Sequence, residues 1–298
     1  MEIEMIEAVE RMQRYIDAHL GEPVTLRQLA AEAGYSPYHA ARAFKELAGE
    51  TPFEYLRKRR LTEAALRLRD GDERVIDVAI DFLFGTQEGF GRAFQRAFGL
   101  PPGRYRRETP PIPLFAAYSA RERYLAAHRQ TGEDEAMELD YTARVVALPE
   151  RTMLVRRGRE AADYFAYCDE VGCDVWGVLC SAREALNEPM GLWLPEALRP
   201  EGTSRYIQGV EVPQGYAAAL PEGFELCALP ACEMLVLQSG PFDDERFQEA
   251  IGVIWDAFER YDLAASGYRW ADDEFPRFQM APEGARGYIE GRPIKPIL

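Results

Sequence analysis

Histidine is scarce in this chain: three residues in 298, at positions 19, 39 and 128. No G-x-S-x-G or H-E-x-x-H run occurs, which removes the usual signatures of a serine hydrolase and of a zinc protease. Cysteine is also sparse. All five lie between Cys168 and Cys232, at spacings that fit no zinc ribbon or finger, so they read as thiols of a reducing compartment. No apolar run approaches the ~18 residues of a membrane span, and the first residues lack signal-peptide character. These absences leave a cytoplasmic chain with no membrane partner, metal or cofactor as the expectation. At 298 residues it is long for one core, so two domains are expected.

The net charge of -15 argues against a nucleic-acid partner only until it is divided. Residues 1–110 carry 17 Lys+Arg against 18 Asp+Glu, a net of -1, and the rest of the chain carries the remaining -14. Basic residues cluster as RKRR at 57–60 and RYRR at 104–107, so this first part can still contact phosphates.

The first part reads as helices throughout. Ile6, Val9, Tyr15, Ile16 and Leu20 form one apolar face, and Gly21 and Pro23 end that run. Thr25 is placed to cap LRQLAAEA, and Gly34 to turn the chain. Ser36 then caps a helix with Pro37 at its first position. A connecting helix is expected from about 52 to 69. The pattern then recurs: RVIDVAIDFLF supports, and Thr86 caps QEGFGRAFQRAF. Arg42, Phe44 and Gly49 of the first copy match Arg92, Phe94 and Gly99 of the second. Two helix-turn-helix units on one connecting helix would present two recognition helices to successive major grooves of DNA.

The stretch from about 6 to 108 resembles an AraC/XylS-type DNA-binding domain. LAAEAGYSPYHAARAFKELAGETPFEYLRKRRL and FGTQEGFGRAFQRAFGLPPGRYRR carry the resemblance. It implies that Tyr38, Ala41 and Arg42 face a groove from the first recognition helix, with Ser36 and His39 beside them, and Thr86, Gln87, Glu88 and Arg92 from the second. Arg suits guanine through its bidentate fork and Gln suits adenine. The competing reading makes Arg42 and Arg92 solvated helix residues; Phe44, Leu47, Phe90 and Phe94 read as core. In the second turn Leu83 stands where the family usually has Gly, with Gly85 two residues later. Either the turn is built around Gly85 or Leu83 is strained, at a cost of roughly 1 kcal/mol or more.

TPPIPLF at 109–115 reads as a boundary, SARERYLAAH as a short connecting helix and RQTGEDEA at 129–136 as linker, so the domains are expected at 1–110 and 138–298 with a linker over 111–137. The second part also repeats itself. ALPERTMLVRRG at 147–158 matches ALPACEMLVLQSG at 228–240, and Tyr206-Ile207-Gln208-Gly209 matches Tyr288-Ile289-Glu290-Gly291 at an offset of 82. Two βαββ-like halves, about 138–213 and 220–298, would build an antiparallel sheet with a groove between them. The expected fold is therefore multidomain: an all-α double helix-turn-helix domain followed by an α+β duplicated domain.

On the duplicated ALPxxxMLV, YIQGVEVP and RPIKPIL, residues 138–298 resemble the gyrase-inhibitor-like effector-binding domain of drug-responsive regulators. The resemblance implies an aromatic-lined groove with a buried Glu that meets lipophilic cations. At the position for that Glu stands Gln279. Glu211 and Glu290 are the other acids that could serve, or each is a solvated strand residue. Tyr164, Trp176, Trp193, Tyr206, Trp255, Phe275 and Tyr288 supply aromatic candidates, about half of them expected as core, Trp176 and Trp255 foremost. The expected function is a transcriptional regulator, not an enzyme, with double-stranded operator DNA, a small aromatic or lipophilic effector and RNA polymerase as partners. A small-molecule hydrolase and a purely structural or partner-binding module are the alternatives.

Overall fold

The computed structural model describes residues 2–118, 120, 123, 140–172 and 174–297, which fall into two compact units, 1–132 and 133–298. The expected linker tract at 129–136, most of the expected connecting helix at 119–128, and Cys173 lie outside the described residues.

The first unit is helical. Its described helices are α1 (Glu2–Ala18), α2 (Leu26–Ala33), α3 (Pro37–Ala48), α4 (Pro52–Asp70), α5 (Val75–Asp81), α6 (Gln87–Phe98) and α7 (Pro102–Glu108). Helix α1 buries Ile6, Val9, Met12 and Ile16, a stripe at helical spacing. The starts of α2, α3, α4 and α6 are capped by Thr25, Ser36, Thr51 and Thr86, whose hydroxyls accept backbone N–H groups that a helix start would leave orphaned. Gly49 and Gly99 end α3 and α6 in the left-handed region, at φ 78° and 79°.

The internal repeat, offset by 50 residues, extends past the recognition helices. Tyr55 and Tyr105 are both buried and stand against Phe44 and Phe94, with ring centroids 5.4 and 5.5 Å apart. Burial raises both phenols above their ordinary pKa, Tyr105 to about 12.

The helical unit does not stop at residue 110. Ile112, Leu114 and Ala120 are buried in its core. The Phe115 amide donates to Thr62 Oγ1 at 3.0 Å, and Gln13 bridges the Tyr118 carbonyl and the Ala120 amide at 3.0 and 2.9 Å. The prolines at 110, 111 and 113 break helix here without ending the unit: their extended backbone carries alternate apolar side chains onto the core.

The second unit holds β1 (Tyr141–Leu148), β2 (Arg151–Arg157), α8 (Tyr164–Val171), α9 (Asp174–Ser181), β3 (Met190–Trp193), β4 (Tyr206–Val212), β5 (Phe224–Leu229), β6 (Cys232–Ser239), α10 (Phe247–Arg260), β7 (Tyr268–Trp270), β8 (Arg277–Met280) and β9 (Ile289–Pro296). The strands form one antiparallel sheet in the order β1-β6-β9-β8-β3-β4-β2-β5, with β7 beside β9. Exchanging β1 with β5, β2 with β6, β3 with β8 and β4 with β9 reverses that order and leaves it unchanged. Two strands, not one, precede the helical segment of each half.

β1 and β2 together run antiparallel to β6 and β5 in one continuous register, from Tyr141↔Ser239 through Leu148↔Cys232 to Arg156↔Phe224. The bend between the two strand pairs falls at Pro149 and Pro230, the prolines of the repeated ALP motif. Gly209 and Gly291 of the repeated YIxG motif permit close packing: a Cβ at Gly209 would meet Val155 Cγ1 at 2.7 Å, and one at Gly291 would meet the Phe278 ring. The helical segment of the first half breaks at Gly172, φ 99°, into α8 and α9, whereas the matching segment of the other half is the single helix α10.

Candidate nucleic-acid interface and effector groove

In the helical unit, α2–α3 and α5–α6 each form a helix-turn-helix. In the first turn Gly34 is left-handed, φ 70°, and the Tyr35 amide reaches back to the Ala30 carbonyl at 3.0 Å. In the second, Leu83 itself is left-handed, φ 59°, and the Phe84 amide reaches the Ala79 carbonyl at 2.9 Å. Both turns therefore close the same way. Gly85 has no positive φ and is one added residue before the Thr86 cap. The Leu83 side chain, half exposed, lines an open groove with Phe53, Phe82 and Phe84.

The exposed faces of α3 and α6 match in phase. Tyr38 (74% exposed), His39 and Arg42 project from the first, and Gln87, Glu88 and Arg92 from the second; Ala41 is half-buried. Neither Arg42 nor Arg92 has a hydrogen bond or ion pair to a described residue, so each guanidinium is available to an outside acceptor. Ser36 and Thr86 are spent on capping, at 3.4 Å from the His39 amide and 3.0 Å from the Gly89 amide. Sequence reasoning passed over Lys45, Gln95 and Arg96, which are exposed one turn beyond the two arginines; their i+3 and i+4 spacing from Arg42 and Arg92 would have found them.

In the sheet unit, strand alternation puts Trp193, Tyr206, Arg277, Gln279, Tyr288 and Glu290 on the helix-covered face. Glu290 is 0% exposed. It accepts the Trp255 indole N–H at 2.9 Å and the Tyr288 hydroxyl at 2.7 Å, and it is ion-paired with Arg277. Gln279 joins the two tyrosines: its amide nitrogen donates to the Tyr206 hydroxyl at 3.0 Å, and its carbonyl oxygen lies 3.3 Å from the Tyr288 hydroxyl. Burial raises both phenols, with neighbouring Glu290 adding to the rise at Tyr288, so both stay neutral.

Arg277 also stacks on aromatic rings, with its guanidinium carbon 5.2 Å from the Trp193 centroid and 5.7 Å from that of Phe258. Trp193 is held by its indole N–H on the Ala162 carbonyl at 3.0 Å and packs 5.1 Å from Tyr206. A cleft of about 340 Å³ opens beside Trp193 and Arg277, with Arg199, Arg205 and Asp273 on its rim. Among the described residues no cluster of His, Cys, Asp or Glu could hold a metal ion, and no helix is long and apolar enough to cross a membrane.

The family described as "Helix-turn-helix domain" matches residues 29–108. Regulatory protein SoxS of Salmonella typhimurium is 34% identical over 98 residues, which are 33% of this chain and 92% of SoxS. The chain belongs to the AraC family of transcriptional regulators. Right origin-binding protein of Escherichia coli K12 is 36% identical over 107 residues, or 36% of each chain, so the chain spans about a third of that relative's length. Over 53% of this chain there is a likeness to the structure of SAV2435 bound to tetraphenylphosphonium, covering 94% of that chain at 14% identity and a TM-score of 0.35.

The residues expected on the recognition helices are exposed apart from Ala41, whereas those expected in the groove are divided between the two faces of the sheet. The structure gathers Trp193, Tyr206, Trp255, Gln279, Tyr288 and Glu290. Glu211 lies on the opposite face of β4 and accepts Asn187 Nδ2 at 2.9 Å, and Phe275 packs with the opposite-face cluster of Met234 and Val236. Tyr164 packs against the cluster of Tyr167 and Tyr206, while Trp176 is half-buried on α9. Trp255, expected as core, is 47% exposed and serves as a donor to Glu290. Sequence reasoning missed Arg277, Phe258 and Tyr167. Arg277 stands two residues before Gln279 in a strand, hence on the same face, a period-2 signal that was there to be used.

Proposed function

We propose that this AraC-family chain is a sequence-specific regulator whose helices α3 and α6 enter successive major grooves of an operator. The matched phase of Arg42 and Arg92, neither of them hydrogen-bonded or ion-paired to a described residue, is the observation that carries the reading. On it, Tyr38, His39, Ala41, Gln87 and Glu88 border the groove, and Ser36 and Thr86 aim the two helices through their caps. We read the two halves of the sheet unit as one duplicated module. The groove around Tyr206, Tyr288 and Trp193 binds a small aromatic effector, and RNA polymerase is the further partner, in the cytoplasm.

A hydrolytic role has less support, because Glu290 is already engaged by three donors. Selection of a binding site from random DNA, followed by affinity measurements on that site and on scrambled DNA, tests the first claim. Equal affinity for both would remove sequence specificity. Tryptophan fluorescence during titration with aromatic compounds tests the second, since all four tryptophans lie in the sheet unit. No saturable change with any of them would remove the effector.

A further inference from the structure

We infer that Arg277 is a tethered cation occupying the place an organic cation would take, so that the effector of this groove is an uncharged aromatic molecule. The inference rests on the effector reading above and adds the ligand's charge. A site for an organic cation needs a desolvated carboxylate and ring faces turned towards the charge. This groove has both, and one side chain uses both. Glu290, with no exposed surface, is ion-paired to Arg277, and the same guanidinium lies over the Trp193 and Phe258 rings.

The other polar groups are committed as well. Tyr288 and Trp255 donate to Glu290, and Gln279 spans the two tyrosine hydroxyls. A second cation would have to approach a guanidinium already in place, in a setting where water screens poorly. The other charges of the cleft do not decide the matter: Arg199 and Arg205 line it together with Glu196, Asp272 and Asp273. Selection against positive charge is therefore a property of the interior. An uncharged ring meets no such opposition and can pack on Trp193, which lines the cleft.

The test titrates the full-length chain with phenyltrimethylammonium and its neutral isostere tert-butylbenzene, following tryptophan fluorescence. The unaltered chain is expected to bind the neutral compound at least about tenfold more tightly. Arg277→Ala is expected to gain at least about tenfold in affinity for the cation, a gain that the double variant Arg277→Ala/Glu290→Gln loses. Arg277→Met keeps bulk over the rings without charge and serves where the alanine variant does not fold. Its melting temperature should rise with the cation, while that of the unaltered chain should not.

Unchanged cation affinity in either folded variant overturns the inference, as does a preference of the unaltered chain for the cation. The failure of the underlying reading looks different. There the unaltered chain binds neither probe nor other aromatics, while the variant arm still decides the role of Arg277.

Discussion

Both units of this chain say something twice, and they use the repetition differently. In the helical unit the two copies keep the same outward residue at the same phase, Arg42 and Arg92, over the same buried pair of Phe and Tyr. In the sheet unit the copies diverge where they meet. β4 and β9 hold equivalent places in the strand order, yet Gln208 stands on one and Glu290 on the other. Across the central β3–β8 pair, Gly191 faces Gln279. The Tyr206 hydroxyl fills the space above Gly191, where a Cβ would collide with it. On the proposed function, two copies that address equivalent DNA grooves can stay alike, while two copies that enclose one effector must differ for the site to have a polarity.

The sharpest way to break the comparison in the sheet unit is to treat its equivalent positions alike. Glu290→Ala strands the Arg277 guanidinium and is expected to cost about 3–5 kcal/mol of stability. Gln208→Ala, whose buried Oε1 has no hydrogen-bond partner among the described residues, should cost only about 1 kcal/mol. Urea melts followed by tryptophan fluorescence report this unit selectively. Equal losses would mean that the halves do not differ energetically.

In the helical unit the equivalent substitutions should instead behave alike. Arg42→Ala and Arg92→Ala are each expected to weaken binding to the selected operator by about 1–3 kcal/mol, with a much smaller effect on scrambled DNA. Equal losses on both DNAs would make them phosphate contacts, and a loss confined to Arg42 would show that the copies are used unequally.

Smaller effects come from the turns. Leu83→Gly is expected to stabilise the helical unit by up to about 1 kcal/mol through release of left-handed strain, reduced by the greater freedom of glycine in the unfolded chain. Gly34→Leu should cost about as much, read from the helical circular dichroism on melting.

The smallest effect separates the repeat copies at α4 and α7. Thr51 and Glu54 form a capping box at the start of α4, and the matching positions are Pro101 and Arg104. The hydrogen bond from the Thr51 backbone, then that from its hydroxyl, holds the Glu54 carboxyl below its usual pKa. The contribution is therefore present above the ordinary carboxylate pKa and is lost as pH falls through the lower, folded value. Glu54→Gln should flatten that acid limb slightly, and Arg104→Gln should leave it unchanged.

How much was legible depends on whether the signal was local. Caps, glycine stops and apolar stripes depend on residues a few positions apart, so α1 to α6, both recognition helices among them, could be read along the chain. The end of the helical unit could not, because the prolines at 110–113 look like a linker until Ile112 and Leu114 are seen buried. Gly172 posed the reverse problem, a helix break in a segment whose composition reads as one helix. The repeats at offsets of 50 and about 82 were visible, but not that β1 pairs with β6 and β2 with β5.

Within the groove, the aromatic composition marked the region without choosing its members. Glu211 and Glu290 were equal candidates on sequence. Strand parity and pairing put one beside Asn187 and the other against Arg277.

By itself the sequence determined that this is a helix-turn-helix protein with two matched recognition helices, because capping, turn chemistry and amphipathic phase act over a few residues. Only the tertiary structure decided which carboxylate is buried, which arginine neutralises it and which tryptophan reaches it. Those choices depend on strands distant in the chain becoming neighbours, and on how completely water is excluded between them.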